Sequence, residues 1–212
     1  MTDVLTAGTP HEDATAAMIL IHGRGATAES ILTLTPEFAG VDEGIVYLAP
    51  QAEGYQWYPQ GFMQPIEANE PHLSQALETI KALLERVNEA GIPAERTMLL
   101  GFSQGACLAT EFGARNARRY GGIVGLSGGL IGPDGTPRDY DGAFDGTPVF
   151  LGCSDPDPHI PAARVRHTTE VLSRMGADVT EKLYPNMGHT VNKDEIEHVR
   201  RIIQQVTAAV NE

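Results

Sequence analysis

The sequence predicts a mostly parallel β-sheet with helices on both faces. Short apolar runs, typical of strands buried on both sides, recur at residues 17–21, 45–48, 98–100, 123–126 and 149–151, and a last strand is expected at 179–184. Amphipathic stretches with helical spacing alternate with these runs, most clearly over residues 73–87. Alternation of this kind is typical of α/β domains, in which ligands bind at the carboxyl ends of the strands.

The first half of the chain supplies three predicted strands and two predicted helices. Val4 and Leu5 indicate a short edge strand, and two buried strands follow at residues 17–21 and 45–48. Residues 29–38 indicate a short helix that contains Pro36. Residues 51–68 form a long irregular stretch rich in aromatic residues, and loops of this length are usually functional. Helix 73–87 ends before Gly91, a residue type common just past the last helical turn.

The second half repeats the alternation. The strand at 98–100 runs through a turn into a helix that begins near Ala106. Further strands are predicted at 123–126, 149–151 and 179–184, with a Gly/Pro/Asp-rich excursion over 129–147 and helices over 165–175 and 196–206. We therefore expect a sheet of about six to seven strands without a large separate lid domain, and a single domain over residues 1–212.

Net charge, cysteine spacing and the N-terminal residues limit the partners and the cellular compartment that we expect for this protein. The formal net charge is −13, from 28 acidic and 15 basic residues, which argues against nucleic acid or an anionic membrane as a partner. The two cysteines fall in predicted buried elements without metal-ligand spacing, so reduced structural thiols are expected. The first twenty residues carry no Lys or Arg, and the run at 16–21 is too short to span a bilayer. We expect a cytoplasmic monomer or homodimer without integral membrane association.

The sequence Gly101-Phe102-Ser103-Gln104-Gly105 predicts a nucleophile elbow. It lies between an apolar strand and a helix, so the serine stands at the apex of a sharp turn. Glycines at both flanking positions allow the strand and the helix to pass closely. Ser103 is the candidate nucleophile, and the Gln104 N–H at the helix N-terminus can face a developing oxyanion.

A serine hydroxyl needs a base and an acid that orients the base. His189 directly follows the last predicted strand, and either Asp155 or Asp157 follows the strand before it, which gives the order Ser, Asp, His. Other histidines fit less well because they lie within helices, in the acid loop itself or before the serine: His167, His198, His159 and His22.

The loop after an early strand is expected to supply the second oxyanion donor. His22-Gly23-Arg24-Gly25 has this position, and its small residues allow backbone N–H groups to approach a substrate. We predict the Arg24 and Gln104 N–H groups as the pair, with Gly23 against the substrate. His22 is expected to order this loop rather than to act as a base.

Several of these segments together resemble the phospholipase/carboxylesterase family of α/β-hydrolases, which includes the acyl-protein thioesterases. The resemblance spans nearly the whole chain and rests on residues 18–25, 101–105, 127–128, 157–161 and 188–189. It implies Ser103 as nucleophile, His189 as base and Asp157 rather than Asp155 as acid, because the acid of the family directly precedes a proline. It also implies hydrolysis of esters or thioesters of modest size without a metal or other cofactor.

Two features depart from the family pattern. The usual His-Gly-Leu-Gly-Asp is replaced by a sequence that carries Arg24, whose side chain either meets an anionic substrate group or rests in water at the rim. The aromatic stretch is longer and more irregular here. Its aromatic residues either line a substrate pocket, with Trp57 the best single candidate, or anchor the loop: Tyr55, Trp57, Tyr58 and Phe62.

The sequence therefore predicts a serine carboxylesterase acting on small-to-medium esters, with a small-molecule ester as its partner. An acyl-protein thioesterase or lysophospholipase is the alternative within the enzyme class. A catalytically idle hydrolase fold that binds a small ligand is the alternative from another class.

Overall fold

A central sheet of seven strands runs through the protein, and the computed structural model describes residues 3–208. The strands are β1 (Val4–Gly8), β2 (Ala16–Ile21), β3 (Ile45–Pro50), β4 (Thr97–Phe102), β5 (Gly122–Leu126), β6 (Pro148–Asp155) and β7 (Asp178–Pro185). Their spatial order is β1-β3-β2-β4-β5-β6-β7. Only the β1–β3 pair is antiparallel within this sheet, so the predicted strand number and the mostly parallel arrangement are confirmed.

Helices cover both faces of the sheet. They are α1 (Ala28–Leu32), α2 (His72–Glu89), α3 (Gln104–Arg115), α4 (Ala162–Arg174) and α5 (Lys193–Ala208). Side chains from alternate positions of β2 enter opposite halves of the core, as expected for a strand. Ile19 packs into the cluster with residues of α2, α3 and α4, whereas Met18 packs into the cluster with residues of α1 and α5.

The region predicted as one helix over residues 29–38 consists of two pieces. Helix α1 ends at Leu32, and a separate 3₁₀ turn covers Thr35–Phe38. Pro36 explains the break, because it has no N–H to donate to the Leu32 carbonyl and its ring would crowd that carbonyl. The prediction of a single helix is therefore wrong at this point.

Helix α2 buries its apolar face in the core. The buried positions are Leu73, Ala76, Ile80, Leu83, Leu84 and Val87, which matches the predicted spacing. The chain turns away at Gly91, which has φ of 92° in the left-handed region that glycine tolerates best.

The topology brings the candidate site residues to one edge of the sheet. β2, β4, β6 and β7 run parallel to one another, so the loops that follow them leave from the same edge. Arg24 lies after β2, Ser103 after β4, Asp157 after β6 and His189 after β7. This edge is where open α/β sheets bind ligands.

Candidate active site

Ser103 occupies a strained turn between β4 and α3. Its backbone has φ of 55° and ψ of −118°, a conformation that L-residues other than glycine rarely adopt. The turn is held from both sides, because the Ser103 N–H donates to the Leu126 carbonyl at 2.9 Å and the Ser103 carbonyl accepts from the Cys107 N–H at 3.1 Å. The surrounding structure therefore maintains a turn that places the serine at the N-terminus of α3.

The flanking glycines are required by close backbone contacts. A Cβ atom at Gly101 would collide with the carbonyl of Gly105, and a Cβ atom at Gly105 would collide with the carbonyl of Ile21. Strand β4, helix α3 and strand β2 therefore come within backbone contact at the turn, which explains both glycines of the motif.

A continuous hydrogen-bond chain links the three residues of the predicted triad. His189 Nε2 lies 2.9 Å from Ser103 Oγ, and His189 Nδ1 lies 2.8 Å from Asp157 Oδ2. A carboxylate only accepts hydrogen bonds, so Nδ1 carries the proton and Nε2 is left to accept the serine hydroxyl. This is the protonation pattern that a general base needs before it activates a serine.

The carboxylate of Asp157 is held in one orientation. Its side chain has no exposed surface, and its Oδ1 accepts the N–H groups of His159 at 2.7 Å and Ile160 at 3.0 Å. Burial by itself raises the pKa of Asp157, but the hydrogen bonds from the His189 ring and from the two N–H groups outweigh it and lower the pKa overall. Asp157 is therefore expected to stay ionised beside the imidazole.

Asp155 takes a different place. Its side chain is half exposed, and its nearest charged partner is Arg166 at 3.8 Å. The structure thus brings Asp157, and not Asp155, to His189.

Ser154 connects the loop of the candidate acid to the loop of the candidate base. Its hydroxyl accepts the N–H of Gly188 at 3.0 Å and donates to the carbonyl of Pro156 at 2.9 Å. Because Gly188 directly precedes His189, this buried hydroxyl fixes the start of the base loop against the acid loop. The sequence offered no signal for it beyond its position at the end of a strand.

A cavity of about 400 Å³ opens at Ser103. Its lining combines aromatic and aliphatic side chains with the candidate catalytic groups: Gly23, Arg24, Ala26, Tyr58, Gly61, Phe62, Phe102, Ser103, Gln104, Cys107, His159, Ile160 and His189. Three of the four residues predicted to contact substrate are in this lining, namely Gly23, Tyr58 and Phe62.

Sequence reasoning missed several residues of this lining, although two had positional signals. Phe102 lies within the serine motif, and Cys107 follows Ser103 by four residues, one helical turn. The rings of Phe102 and His159 flank the His189 ring, with centroids 5.0 and 4.8 Å from it. Burial raises the pKa of Cys107 to about 12, so this thiol stays neutral and acts as an apolar part of the wall.

Trp57, predicted as the best pocket candidate, lies outside the cavity lining. Its indole Nε1–H donates to the His22 carbonyl at 2.8 Å, and its ring centroid is 5.0 Å from that of His22. Its backbone N–H donates to Gln104 Oε1 at 2.9 Å. Of the two alternatives for Trp57, these contacts favour the anchor: the side chain is buried and holds the aromatic segment outside this cavity.

His22 orders the loop after β2. It is fully buried, with Nδ1 2.8 Å from the Gly23 carbonyl and Nε2 accepting the Ala52 N–H at 3.1 Å. Burial is the main cause of its lowered pKa, which favours the neutral ring that these two partners require.

The two predicted oxyanion donors have free N–H groups. No acceptor within residues 3–208 takes the N–H of Arg24, and Gln104 is the first residue of α3, where N–H groups lack an intrahelical partner. The backbone beside Arg24 comes close to the serine, since a Cβ built at Gly23 would lie 3.3 Å from Ser103 Cβ.

The Arg24 side chain lies exposed at the rim of the cavity, where it binds the protein itself. Its guanidinium donates to four oxygens of residues 56–60, at 2.7 to 2.9 Å. Its donors are therefore directed at the protein, although the residue is exposed to solvent.

Comparison with known proteins identifies the family. Residues 5–207 match the model of the phospholipase/carboxylesterase family. The chain belongs to this family. Among curated relatives, acyl-protein thioesterase 1 of Candida albicans is 27% identical over 91% of this chain and 93% of its own length. Acyl-protein thioesterase 1 of Gibberella zeae is 33% identical, over 58% of this chain and 53% of that protein.

Solved structures agree with the family assignment. A phospholipase/carboxylesterase from Dyadobacter fermentans superposes with a TM-score of 0.91 at 40% identity, covering 96% of each chain. Arabidopsis thaliana SOBER1 has the same fold, with a TM-score of 0.76 at 17% identity over 91% of this chain and 99% of its own. The relatives are named as esterases and thioesterases, so the family is one of hydrolases.

Within residues 3–208, no group of three or more His, Cys, Asp or Glu side chains is arranged to hold a metal ion. In the same part of the chain, no helix is both long and apolar enough to cross a membrane. Cys107 and Cys153 are both buried and free, as the spacing of the two cysteines predicted.

Proposed function

We propose that this member of the family is a serine carboxylesterase that hydrolyses small-to-medium carboxylic esters through an acyl-enzyme. One observation carries the proposal: the hydrogen-bonded chain Asp157–His189–Ser103 ends at a cavity lined by Arg24 and Gln104, whose backbone N–H groups have no acceptor within residues 3–208. These are the parts that acyl transfer to a serine requires.

In the first half of the reaction, Ser103 Oγ attacks the ester carbonyl carbon and its proton passes to His189 Nε2. The carbonyl oxygen becomes an oxyanion, which accepts hydrogen bonds from the Arg24 and Gln104 N–H groups. Asp157 stabilises the imidazolium without taking its proton. Collapse of the tetrahedral intermediate breaks the bond to the alcohol, which leaves with the proton from His189.

In the second half, water attacks the acyl-enzyme carbonyl and gives a proton to His189. A second oxyanion forms at the same two N–H groups. Its collapse releases the carboxylic acid, and the proton returns from His189 to Ser103 Oγ. Each donor in such a site contributes about 10²–10³ to kcat, so the rate also depends on the position of the loop after β2.

The cavity favours substrates of limited size. Its volume of about 400 Å³ lies near the lower end of the range of about 300–1,000 Å³ for small-molecule sites. Apolar groups such as Phe62 and Ile160 line it, which suits a short acyl chain or a compact alcohol.

An acyl-protein thioesterase is the second candidate, favoured by the names of the curated relatives. A panel of p-nitrophenyl esters from acetate to palmitate, with matching thioesters, separates the two. We expect kcat/KM to peak at short chains, because the cavity is small. A maximum at palmitate or a preference for thioesters would favour the second candidate.

The nucleophile is tested by covalent labelling. A fluorophosphonate should modify one residue per chain, Ser103, and Ser103→Ala should abolish both labelling and hydrolysis of p-nitrophenyl acetate. Peptide mass spectrometry that locates the label on Ser127 or Ser154 would contradict the assignment. If neither wild type nor Ser103→Ala hydrolysed esters faster than the uncatalysed rate, while small-ligand binding was retained, a non-catalytic binding protein would be supported instead.

A further inference from the structure

The Arg24 side chain is bound to one short segment of the cavity wall. Nη1 donates to Gln56 Oε1 at 2.7 Å and to the Pro59 carbonyl at 2.9 Å. Nη2 donates to the carbonyls of Tyr58 at 2.9 Å and Gln60 at 2.7 Å. All four acceptors belong to residues 56–60, which we call the clamp segment.

Three consecutive carbonyls of the clamp segment point towards a single cation. In extended chain, successive carbonyls point in alternate directions, so their convergence on one group needs a donor that satisfies them together. The planar guanidinium of Arg24 has several N–H donors in fixed directions and can bind the three carbonyls together. An ammonium group lacks this fixed planar arrangement, and a leucine side chain has no donor. Arg24 therefore binds the clamp segment through four hydrogen bonds, and the buried Asn69 binds its far end, where Asn69 Oδ1 accepts the Gln60 N–H at 2.7 Å.

The second candidate oxyanion residue binds the same segment. Gln104 Oε1 accepts the Trp57 N–H at 2.9 Å, and Gln104 Nε2 donates to the Tyr58 carbonyl at 2.8 Å. The Tyr58 carbonyl thus receives hydrogen bonds from the side chains of both Arg24 and Gln104. In addition, the Gly25 N–H donates to the carbonyl of residue 55 at 2.7 Å.

We propose that the Arg24 side chain is a positioning element of the oxyanion hole. Arg24 binds the clamp segment that Gln104 also binds. These contacts hold the backbone N–H groups of Arg24 and Gln104 in the relative position that two oxyanion donors need. The inference rests on the proposed function, and it adds a role for a side chain at a position where the family usually has leucine.

The same contacts make recognition of an anionic substrate by Arg24 unfavourable. A guanidinium has five N–H donors, and four are directed at the clamp segment. A substrate carboxylate would have to displace these bonds to bind in a bidentate manner. Anionic and neutral esters should therefore lose the same factor in activity when the side chain is removed.

Arg24→Ala tests the proposal because it keeps the backbone N–H and removes only the side chain. We expect kcat for p-nitrophenyl acetate to fall by at least tenfold and by no more than the about 10³-fold that loss of one donor produces. KM should change by less than about threefold, because the donors act mainly on the transition state. Guanidinium chloride at non-denaturing concentrations should restore part of kcat by occupying the vacated position. Arg24→Lys should retain an intermediate kcat.

Arg200→Ala is the matched control. The Arg200 guanidinium also donates to two main-chain carbonyls, those of Glu37 at 2.7 Å and Ala39 at 3.1 Å, but it lies outside the cavity lining. Its removal should leave kcat unchanged, and added guanidinium should not raise the kcat of this variant.

Three outcomes overturn the inference. The first is a kcat of Arg24→Ala less than tenfold below that of an active wild type. The second is a fall in kcat/KM that is due to KM alone. The third is a misfolded Arg24→Ala together with a fully active Arg24→Lys. These outcomes leave the proposed function intact, whereas a wild type no more active than Ser103→Ala would remove the proposed function and this inference together.

Discussion

Asp157→Asn should inactivate the site through the tautomer of His189. Asp157 Oδ1 accepts two backbone N–H groups, at 2.7 and 3.0 Å, so an asparagine must place its carbonyl oxygen there. Its NH₂ group then faces His189 Nδ1, 2.8 Å away in the native contact. Because the NH₂ donates, Nδ1 must accept, and the ring proton moves to Nε2. Nε2 then donates to Ser103 Oγ and cannot take its proton.

The size of the effect follows from this switch of tautomer. Loss of the correct tautomer in a Ser-His-Asp triad lowers kcat by about 10⁴-fold, equivalent to about 5 kcal/mol of transition-state stabilisation. KM should change little, because Asp157 has no exposed surface and is absent from the cavity lining. The loss should therefore appear in kcat.

The assay is the steady-state hydrolysis of p-nitrophenyl acetate, with the ¹⁵N shifts of the His189 ring as a direct report of its tautomer. Asp155→Asn is the control, since that half-exposed side chain lies 3.8 Å from Arg166 and makes no contact with the imidazole. We expect the control to retain wild-type kcat. Thermal unfolding of both variants separates loss of the tautomer from loss of the fold.

Two results would refute the argument. One is an Asp157→Asn variant with kcat within about tenfold of wild type, which is far from the about 10⁴-fold of the tautomer switch. The other is an inactive Asp155→Asn variant together with an active Asp157→Asn variant, which would show that Asp155 is the acid.

Two further predictions concern a buried carboxyl and metals. Burial raises the pKa of Glu195 from 4.5 to about 7, so its stabilising contribution is complete below pH 4.5 and is lost as the pH rises through 7. The side chain of Glu195→Gln stays neutral at every pH. The free energy of unfolding of this variant in urea, relative to that of wild type, should therefore rise by about 3 kcal/mol between pH 4.5 and pH 8. A difference that does not change with pH would contradict the assignment. Exhaustive treatment with EDTA should leave ester hydrolysis unchanged, since the proposed nucleophile is activated by its own base; loss of activity that zinc restores would refute this.

The local patterns of the sequence determined the sheet, the flanking helices and the order of the candidate residues. Buried strands are continuous apolar runs, and α2 is a regular apolar stripe, so each is a property of consecutive residues. The Gly-x-Ser-x-Gly turn is equally local, because two glycines and a strand-to-helix change are visible in the chain. Pro36 was the exception among these patterns, since the stretch around it was predicted as one helix although proline disrupts helical bonding.

Other features depended on contacts between segments that are distant in sequence. Chain order left Asp155 and Asp157 as equal candidates for the acid, and only the resemblance to the family favoured Asp157. Only the folded loop after β6 turns Asp157 inward, where two N–H groups hold its carboxylate beside His189. Aromatic composition left Trp57 either in a pocket or as an anchor, and its indole N–H donates to the carbonyl of His22 outside the cavity lining.

The contacts of the Arg24 side chain are the clearest example of a feature that the sequence did not predict. The sequence determined that a cation stands where the family usually has leucine, and it located the backbone N–H after β2. Which groups meet the guanidinium depended on residues 56–60, more than thirty positions away. The direction of main-chain carbonyls is set by the backbone torsion angles of a loop, and no pattern of side chains encodes it. Tertiary structure alone therefore decided that this exposed arginine directs four of its donors at the protein.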